Sequence, residues 1–206
     1  MIILLSILTI GDSHTSGYPA FDPSYGGEEK SSYQYWLQLS LETYLPNEEI
    51  IIINKGIPGD TLDNIITRMN SILKNNAENQ FDYVILNGGA NDILGLNREI
   101  NKTFSHLEKL ISTSQYFNVQ KIIFSSIPAT SNKNFNLELK KFSSLLVNEL
   151  KRNNLYLFSD FHSLLSNENG LLKKDFNVGD GIHLTIDGYK KIGQDLAEII
   201  IKEEKK

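Results

Sequence analysis

Residues 2–10, Ile-Ile-Leu-Leu-Ser-Ile-Leu-Thr-Ile, are almost all apolar and rich in β-branched isoleucine. A run without in-out alternation suits a strand covered on both faces, as in the middle of a parallel sheet. The pattern returns in shorter form at 50–53, in the four or five residues from Tyr83, at 121–127 and at 155–160. Each run stops in turn chemistry: Gly11-Asp12-Ser13, Asn54-Lys-Gly-Ile-Pro-Gly-Asp-Thr61, Asn87-Gly-Gly-Ala-Asn-Asp92, Pro128 and Asp160.

Helical periods fill the gaps. In 32–45 the apolar face is Tyr33, Trp36, Leu37, Leu41, Tyr44 and Leu45, and Ser31 and Gln34 have capping-box spacing. Asp60 or Thr61 is placed to cap a helix faced by Leu62, Ile65, Ile66, Met69, Ile72 and Leu73, which Asn75-Asn76 ends. Helices are expected over 98–116 (Ile100, Phe104, Leu107 and Ile111 inward) and over 135–152 (Phe135, Leu139, Phe142, Leu146 and Leu150 inward). A last helix follows Thr185, faced by Tyr189, Ile192, Leu196, Ile199 and Ile200. Residues 18–30, dense in Pro, Gly and aromatics, read as a loop over the site, and 161–179 as mostly loop with a helical turn near His162. Five strands alternating with helices predict a three-layer α/β/α sandwich on a five-stranded parallel sheet. Right-handed crossovers then put every strand-to-helix turn on one rim.

A chain of 206 residues fits a single domain spanning 1–206. Its 20 basic and 25 acidic residues are spread along the chain, so no basic stripe points to nucleic acid. Without cysteine there is no disulfide, thiol nucleophile or thiolate metal site. The N-terminal run lacks a basic flank and, at about ten residues, is roughly half a membrane span, so no signal peptide or integral membrane segment is expected. The expected location is the cytoplasm.

The shared rim is where chemistry is sought. It gathers Ser13, Gly59, Asn91 and the Asp180/His183 pair, each read as standing at the C-terminal exit of a strand. A serine hydroxyl needs a neighbouring base, and an imidazole is the usual one. His183 suits that role, because Asp180, three residues earlier across a turn loosened by Gly181, can reach the far ring nitrogen. His106 falls within a helix and His162 beside a helical turn, where packing or surface roles are expected. His14 adjoins Ser13, but consecutive side chains diverge, which places it at the pocket mouth rather than as the base. The N–H groups of Ser13 and Gly59 and the amide of Asn91 can serve a tetrahedral oxyanion. Taken singly, Gly59 is an ordinary turn glycine and Asn91 a helix cap.

Four segments together resemble the blocks of the SGNH, or GDSL-type, hydrolase family. They are Gly11-Asp12-Ser13, Asn54-x-Gly-x-x-Gly59-Asp-Thr61, Gly89-Ala-Asn91-Asp92 and Asp180-Gly-Ile-His183-Leu-Thr-x-x-Gly188-Tyr189, in the family's order and spacing. The resemblance implies Ser13 as nucleophile, Gly59 and Asn91 as oxyanion donors, His183 as base and Asp180 as its partner. It also implies a flavodoxin-like strand order 2-1-3-4-5 and no metal or organic cofactor. His14 departs from the pattern, which usually has an aliphatic residue after the serine. Asp12, Asn54 and Asp92 read as hydrogen-bonders that hold the turns, and Asp60 as a helix cap.

The expected activity is a serine esterase on a small-molecule ester. A short acyl chain is expected, because no long apolar insertion offers an acyl tunnel. Thioesters and sugar O-acetyl groups belong to the same family's range. The aromatic segment 18–36 suits a lid, an acyl groove or a sugar platform, although Tyr33, Trp36 and Leu37 are more simply the inner face of a helix. An α/β-hydrolase is disfavoured, since no Gly-x-Ser-x-Gly elbow surrounds a mid-chain serine. A nucleotide-binding flavodoxin-like protein is disfavoured for want of Gly-x-Gly-x-x-Gly or a Walker loop. A non-catalytic carbohydrate- or lipid-binding module on the same fold is the rival from another class.

Overall fold

The structure, a computed structural model, describes residues 3–75, 81–117, 119, 121–152 and 156–206. In chain order the strands are β1 (Ile3–Gly11), the two-residue β2 (Phe21–Asp22) and β3 (Gly26–Gly27), β4 (Glu48–Gly56), β5 (Tyr83–Leu86), β6 (Lys121–Ser125) and β7 (Tyr156–Ser159). The helices are α1 (Ser13–Ser16), α2 (Tyr33–Tyr44), α3 (Leu62–Asn75), α4 (Ile100–Tyr116), α5 (Lys133–Leu150), α6 (Phe161–Leu165) and α7 (Ile186–Glu204).

Five strands pair in parallel in the order β4-β1-β5-β6-β7, while β2 and β3 form a separate antiparallel pair. That small hairpin lies in the segment expected to be plain loop. Side chains alternate across the sheet, so neighbouring residues of β1 serve different layers. Leu5 and Ile7 pack with Tyr33, Leu37 and Leu41 of α2 and Ile192 and Leu196 of α7. Leu8 and Ile10 pack with Leu62 and Met69 of α3, Leu110 of α4 and Phe142 of α5. From Leu5 to Ile10 the apolar side chains of β1 are therefore buried on both faces, as the run requires, whereas Leu4 near its start is exposed and Ile2 lies outside the described residues.

Several local expectations give way to tertiary packing. Gln34 makes no capping box at the start of α2. Its amide instead donates to Thr9 Oγ1 (2.8 Å) and Thr15 O (2.9 Å), tying α2 to β1 and α1. Tyr44 and Phe135, assigned to inner helix faces, are exposed, as is Ile51 on the edge strand β4. Asp60 does not cap α3. The carboxylate at that helix start is Asp92, whose Oδ2 accepts from Leu62 N (2.9 Å). Asn76 and Leu155, placed at a helix end and a strand start, lie outside the described residues. Among the described residues no helix is long and apolar enough to cross a membrane.

The strand order has one functional consequence. β1 lies between β4 and β5, so the chain leaves it toward one side and later returns on the other. The carboxyl ends of β4, β1 and β5 thus surround a crevice, the place where open α/β sheets receive ligands.

Candidate active site

β1 ends at Gly11, and Asp12 turns the chain into α1. The Asp12 carboxylate caps that helix by accepting from His14 N (3.0 Å), which leaves Ser13 at the first helical position. No acceptor among the described residues takes the N–H of Ser13. Ser13 Oγ lies 3.1 Å from His183 Nε2, across 170 positions of sequence. His183 Nδ1 in turn lies 2.6 Å from Asp180 Oδ2. A carboxylate accepts, so Nδ1 carries hydrogen and the Nε2 lone pair faces the serine hydroxyl.

The loop ahead of α7 makes this geometry. Gly181 has φ +82°, a conformation that strains any L side chain and folds the segment back on itself. Asp180 Oδ1 then accepts from the backbone N–H of both Ile182 and His183, at 2.8 Å each. Partial burial opposes the charge on Asp180. The bonds from His183 backbone and ring, followed by Ile182 N–H, outweigh it and hold the carboxyl down at about 2. His183 does not stand at a strand exit as the rim argument supposed. It arrives on the long return from β7, just before Thr185, whose hydroxyl caps α7.

The flanking strands supply the rest of the crevice. After β4, residues 57–60 form a turn closed by Asp60 N→Ile57 O (3.2 Å), with Pro58 second and Gly59 third at φ +84°. The Gly59 N–H is left without an acceptor among the described residues. Gly56 lets this loop lie on α1, since a Cβ there would sit 2.1 Å from Ser16 N. Asn54 Oδ1 accepts from Gly56 N (2.9 Å) and its amide donates to Ser16 O (3.2 Å). After β5, Asn91 opens a π-helical turn, Asn91–Gly95, which no sequence pattern anticipated. Its Nδ2 donates to Asp60 O (2.9 Å), joining this turn to the loop that carries Gly59. Asp92 is fully buried and also holds Arg98, so that one carboxylate fastens α3 and the Asn91 turn together. Burial pushes the Asp92 carboxyl up, against the pull of Leu62 N–H and the Arg98 guanidinium.

The matching family model is that of the GDSL-like Lipase/Acylhydrolase family, and it covers residues 9–191. The chain belongs to this family. Membership makes it an ester-hydrolysing enzyme. No curated protein matches the chain in sequence. Solved structures that share the fold include the following three. A family 3 carbohydrate esterase of Clostridium thermocellum is 21% identical, with 98% of each chain covered and a TM-score of 0.74. A mutant of an acetyl-xylooligosaccharide esterase from Geobacillus is 18% identical over 97% of this chain and 95% of that one, with a TM-score of 0.76. The psychrotrophic esterase EstA of Pseudoalteromonas, solved inhibited by monoethylphosphonate, is 20% identical over 97% and 98%, with a TM-score of 0.72.

Within this GDSL-family chain, Ser13, Asp180 and His183 form one hydrogen-bonded row, and Asn91 is joined to the Gly59 loop beside it. Asp12, Asn54 and Asp92 each hold a turn. Three side chains take positions the sequence did not reveal. His14 is buried beneath the site, not at its mouth. The rings of Tyr18 and His183 meet edge to face, with centroids 4.6 Å apart. Arg68, on α3, donates to Gly11 O (3.0 Å), Lys55 O (2.6 Å) and Asp60 Oδ2 (2.7 Å), clamping the first two loops of the crevice. Only its two-turn spacing from Asp60 hinted at this. Arg68→Met leaves the nearly buried Asp60 carboxylate without its cation. A loss of about 3 kcal/mol in unfolding free energy is expected, read by urea denaturation. Among the described residues no cluster of three or more His, Asp or Glu could hold a metal ion.

Proposed function

We propose that the protein hydrolyses short-chain carboxylic esters through an acyl-enzyme on Ser13. The observation that carries this reading is the Ser13–His183–Asp180 row, 3.1 and 2.6 Å between partners. His183 Nε2 takes the hydroxyl proton as Ser13 Oγ bonds to the ester carbonyl carbon. The developing oxyanion meets the N–H groups of Ser13 and Gly59 and the amide of Asn91. As the intermediate collapses, the C–O bond to the alcohol breaks and His183 returns the proton to the leaving oxygen. Water then attacks the acyl-enzyme, with His183 again as base, releasing the acid and the free serine.

Acetyl esters of carbohydrates are the favoured substrate class within this reading. Two of the structural neighbours are named as esterases of acetyl-xylooligosaccharides or carbohydrates. Tyr18, partly exposed beside His183, places at the site an aromatic side chain of the kind sugars pack on. A panel of p-nitrophenyl esters from acetyl to palmitoyl, with acetylated xylo-oligosaccharides and acyl-CoA, tests the assignment. The expected order is acetyl first, falling with chain length. Preference for palmitoyl esters or acyl-CoA would overturn it. A non-catalytic binding module would turn over none of the panel and would not be labelled by an active-site serine phosphonate.

The donor role of Asn91 has its own expected result. Asn91→Ala should raise the barrier by about 2.7–4 kcal/mol, or roughly 10²–10³-fold in kcat, with KM little changed. An effect below threefold would return Asn91 to a purely structural part in holding Asp60.

A further inference from the structure

The Ser13–His183 hydrogen bond is not the sole join between the nucleophile turn and the loop that carries the imidazole. One residue after Ser13 and one before His183, His14 Nε2 lies 3.1 Å from Ile182 O. The two joins run side by side, 13 to 183 and 14 to 182. The other hydrogen bonds of residues 180–183 among the described residues go to Asn177, Val178 and Asp180 within the loop and to Ser131. None of those partners belongs to α1. Apart from the reacting pair, the His14 bond is therefore the hydrogen bond, among the described residues, that joins this loop to the turn bearing Ser13.

The ring has one chemically sensible orientation. A carbonyl oxygen only accepts, so the atom facing Ile182 must be an N–H. The opposite nitrogen, Nδ1, lies 3.5 Å from Asp12 Oδ1. Flipping the ring would turn carbon atoms toward both the carbonyl and the carboxylate, losing each contact. The side chain is 2% exposed, so water does not substitute for either partner. Burial favours the neutral ring, but the Asp12 carboxylate beside Nδ1, together with Ile182 O, carries the His14 imidazole upward. His14 and His183 lie with ring centroids 5.7 Å apart.

We propose that His14 is a positioning residue for the base: its Nε2–H···O bond to Ile182 holds the 180–183 loop at the spacing at which His183 Nε2 meets Ser13 Oγ. The inference rests on the catalytic reading proposed for Ser13 and His183. An aliphatic side chain at position 14 fills space but donates nothing. The loop would then be held by Ser131, by the Tyr18 ring and by the reacting pair itself, and small displacements of reacting groups are costly: about 10²-fold for 1 Å.

The test uses the full chain with p-nitrophenyl acetate as probe substrate. His14→Leu is expected to lower kcat about tenfold or more with KM within about twofold, because the loss falls on alignment and not on substrate contact. His14→Gln, whose amide can present an N–H toward Ile182 O, is expected to return kcat to within about threefold of the parent. Circular-dichroism melts check that both variants are folded. Independently of any substitution, a nitrogen-15 histidine spectrum of the parent should show His14 protonated at Nε2. Three results would each overturn the proposal: kcat of His14→Leu within twofold of the parent, His14→Gln as impaired as a folded His14→Leu, or His14 unprotonated at Nε2. Should His14→Leu fail to fold, the glutamine variant and the spectrum decide. Ser13→Ala separates the two readings. Full activity there ends the catalytic proposal, whereas an inactive Ser13→Ala beside a fully active, folded His14→Leu ends only this one.

Discussion

Ser13→Ala is expected to lower kcat by on the order of 10⁶-fold while leaving the thermal unfolding transition in place. The size follows from the arrangement. The hydroxyl is the atom that bonds to the acyl carbon, and neither His183 nor Asp180 can replace it in forming an acyl-enzyme. Removing one oxygen from a side chain at the first position of α1 costs the fold little, because the Asp12 cap to His14 N and the α1 backbone bonds do not involve Ser13 Oγ. Labelling by an active-site phosphonate should vanish with activity. Activity within tenfold of the parent would sink the acyl-enzyme, and with it the proposed function.

Asp180→Asn is expected to cost about 10⁴-fold in kcat with KM nearly unchanged. The amide oxygen can still accept from Ile182 N and His183 N, so the loop keeps its turn. The amide nitrogen would then face His183 Nδ1 as a donor. That reverses the tautomer, placing hydrogen on Nε2 and aiming a donor at Ser13 instead of a base. Asp180 is half-exposed, and its hydrogen bonds from His183 and Ile182 keep it charged against the opposing effect of partial burial. With its folded-state value at about 2, below that of the unfolded chain, its stabilising contribution is present above about pH 4 and is lost as pH falls toward 2. Acid unfolding of the parent and of Asp180→Asn should therefore converge below about pH 2 and separate above pH 4. Identical profiles throughout would mean that the bonds to His183 do not stabilise the fold.

Much of the architecture was legible because it depends on short-range patterns. The run from residue 2 to 10 reads as a strand buried on both faces, and Ile7 and Leu8 indeed meet different helical layers, although Leu4 near its start stays exposed. Pro58-Gly59 and Asp180-Gly181 announced turns through the backbone freedom of glycine, realised as φ +84° and +82°. The same local logic misled where a side chain had a better offer at long range. Gln34 left its capping box for Thr9 and Thr15, and Asp60 left the start of α3 for Arg68. Each alternative became available only once the helix had been packed against the sheet.

By itself, the sequence determined an alternating α/β chain with turns rich in glycine, aspartate and asparagine after its strands, together with an Asp-x-x-His segment able to order its own imidazole. Strand burial, turn conformation and contacts three residues apart are local, so composition and periodicity encode them. Only the tertiary structure decided that residue 13 meets residue 183, that Asn91 reaches the Gly59 loop, and that His14 faces Ile182. Those pairings depend on sheet order and on where α7 docks against α2. Both are set by side-chain packing summed over the whole core, which no single stretch of the chain carries.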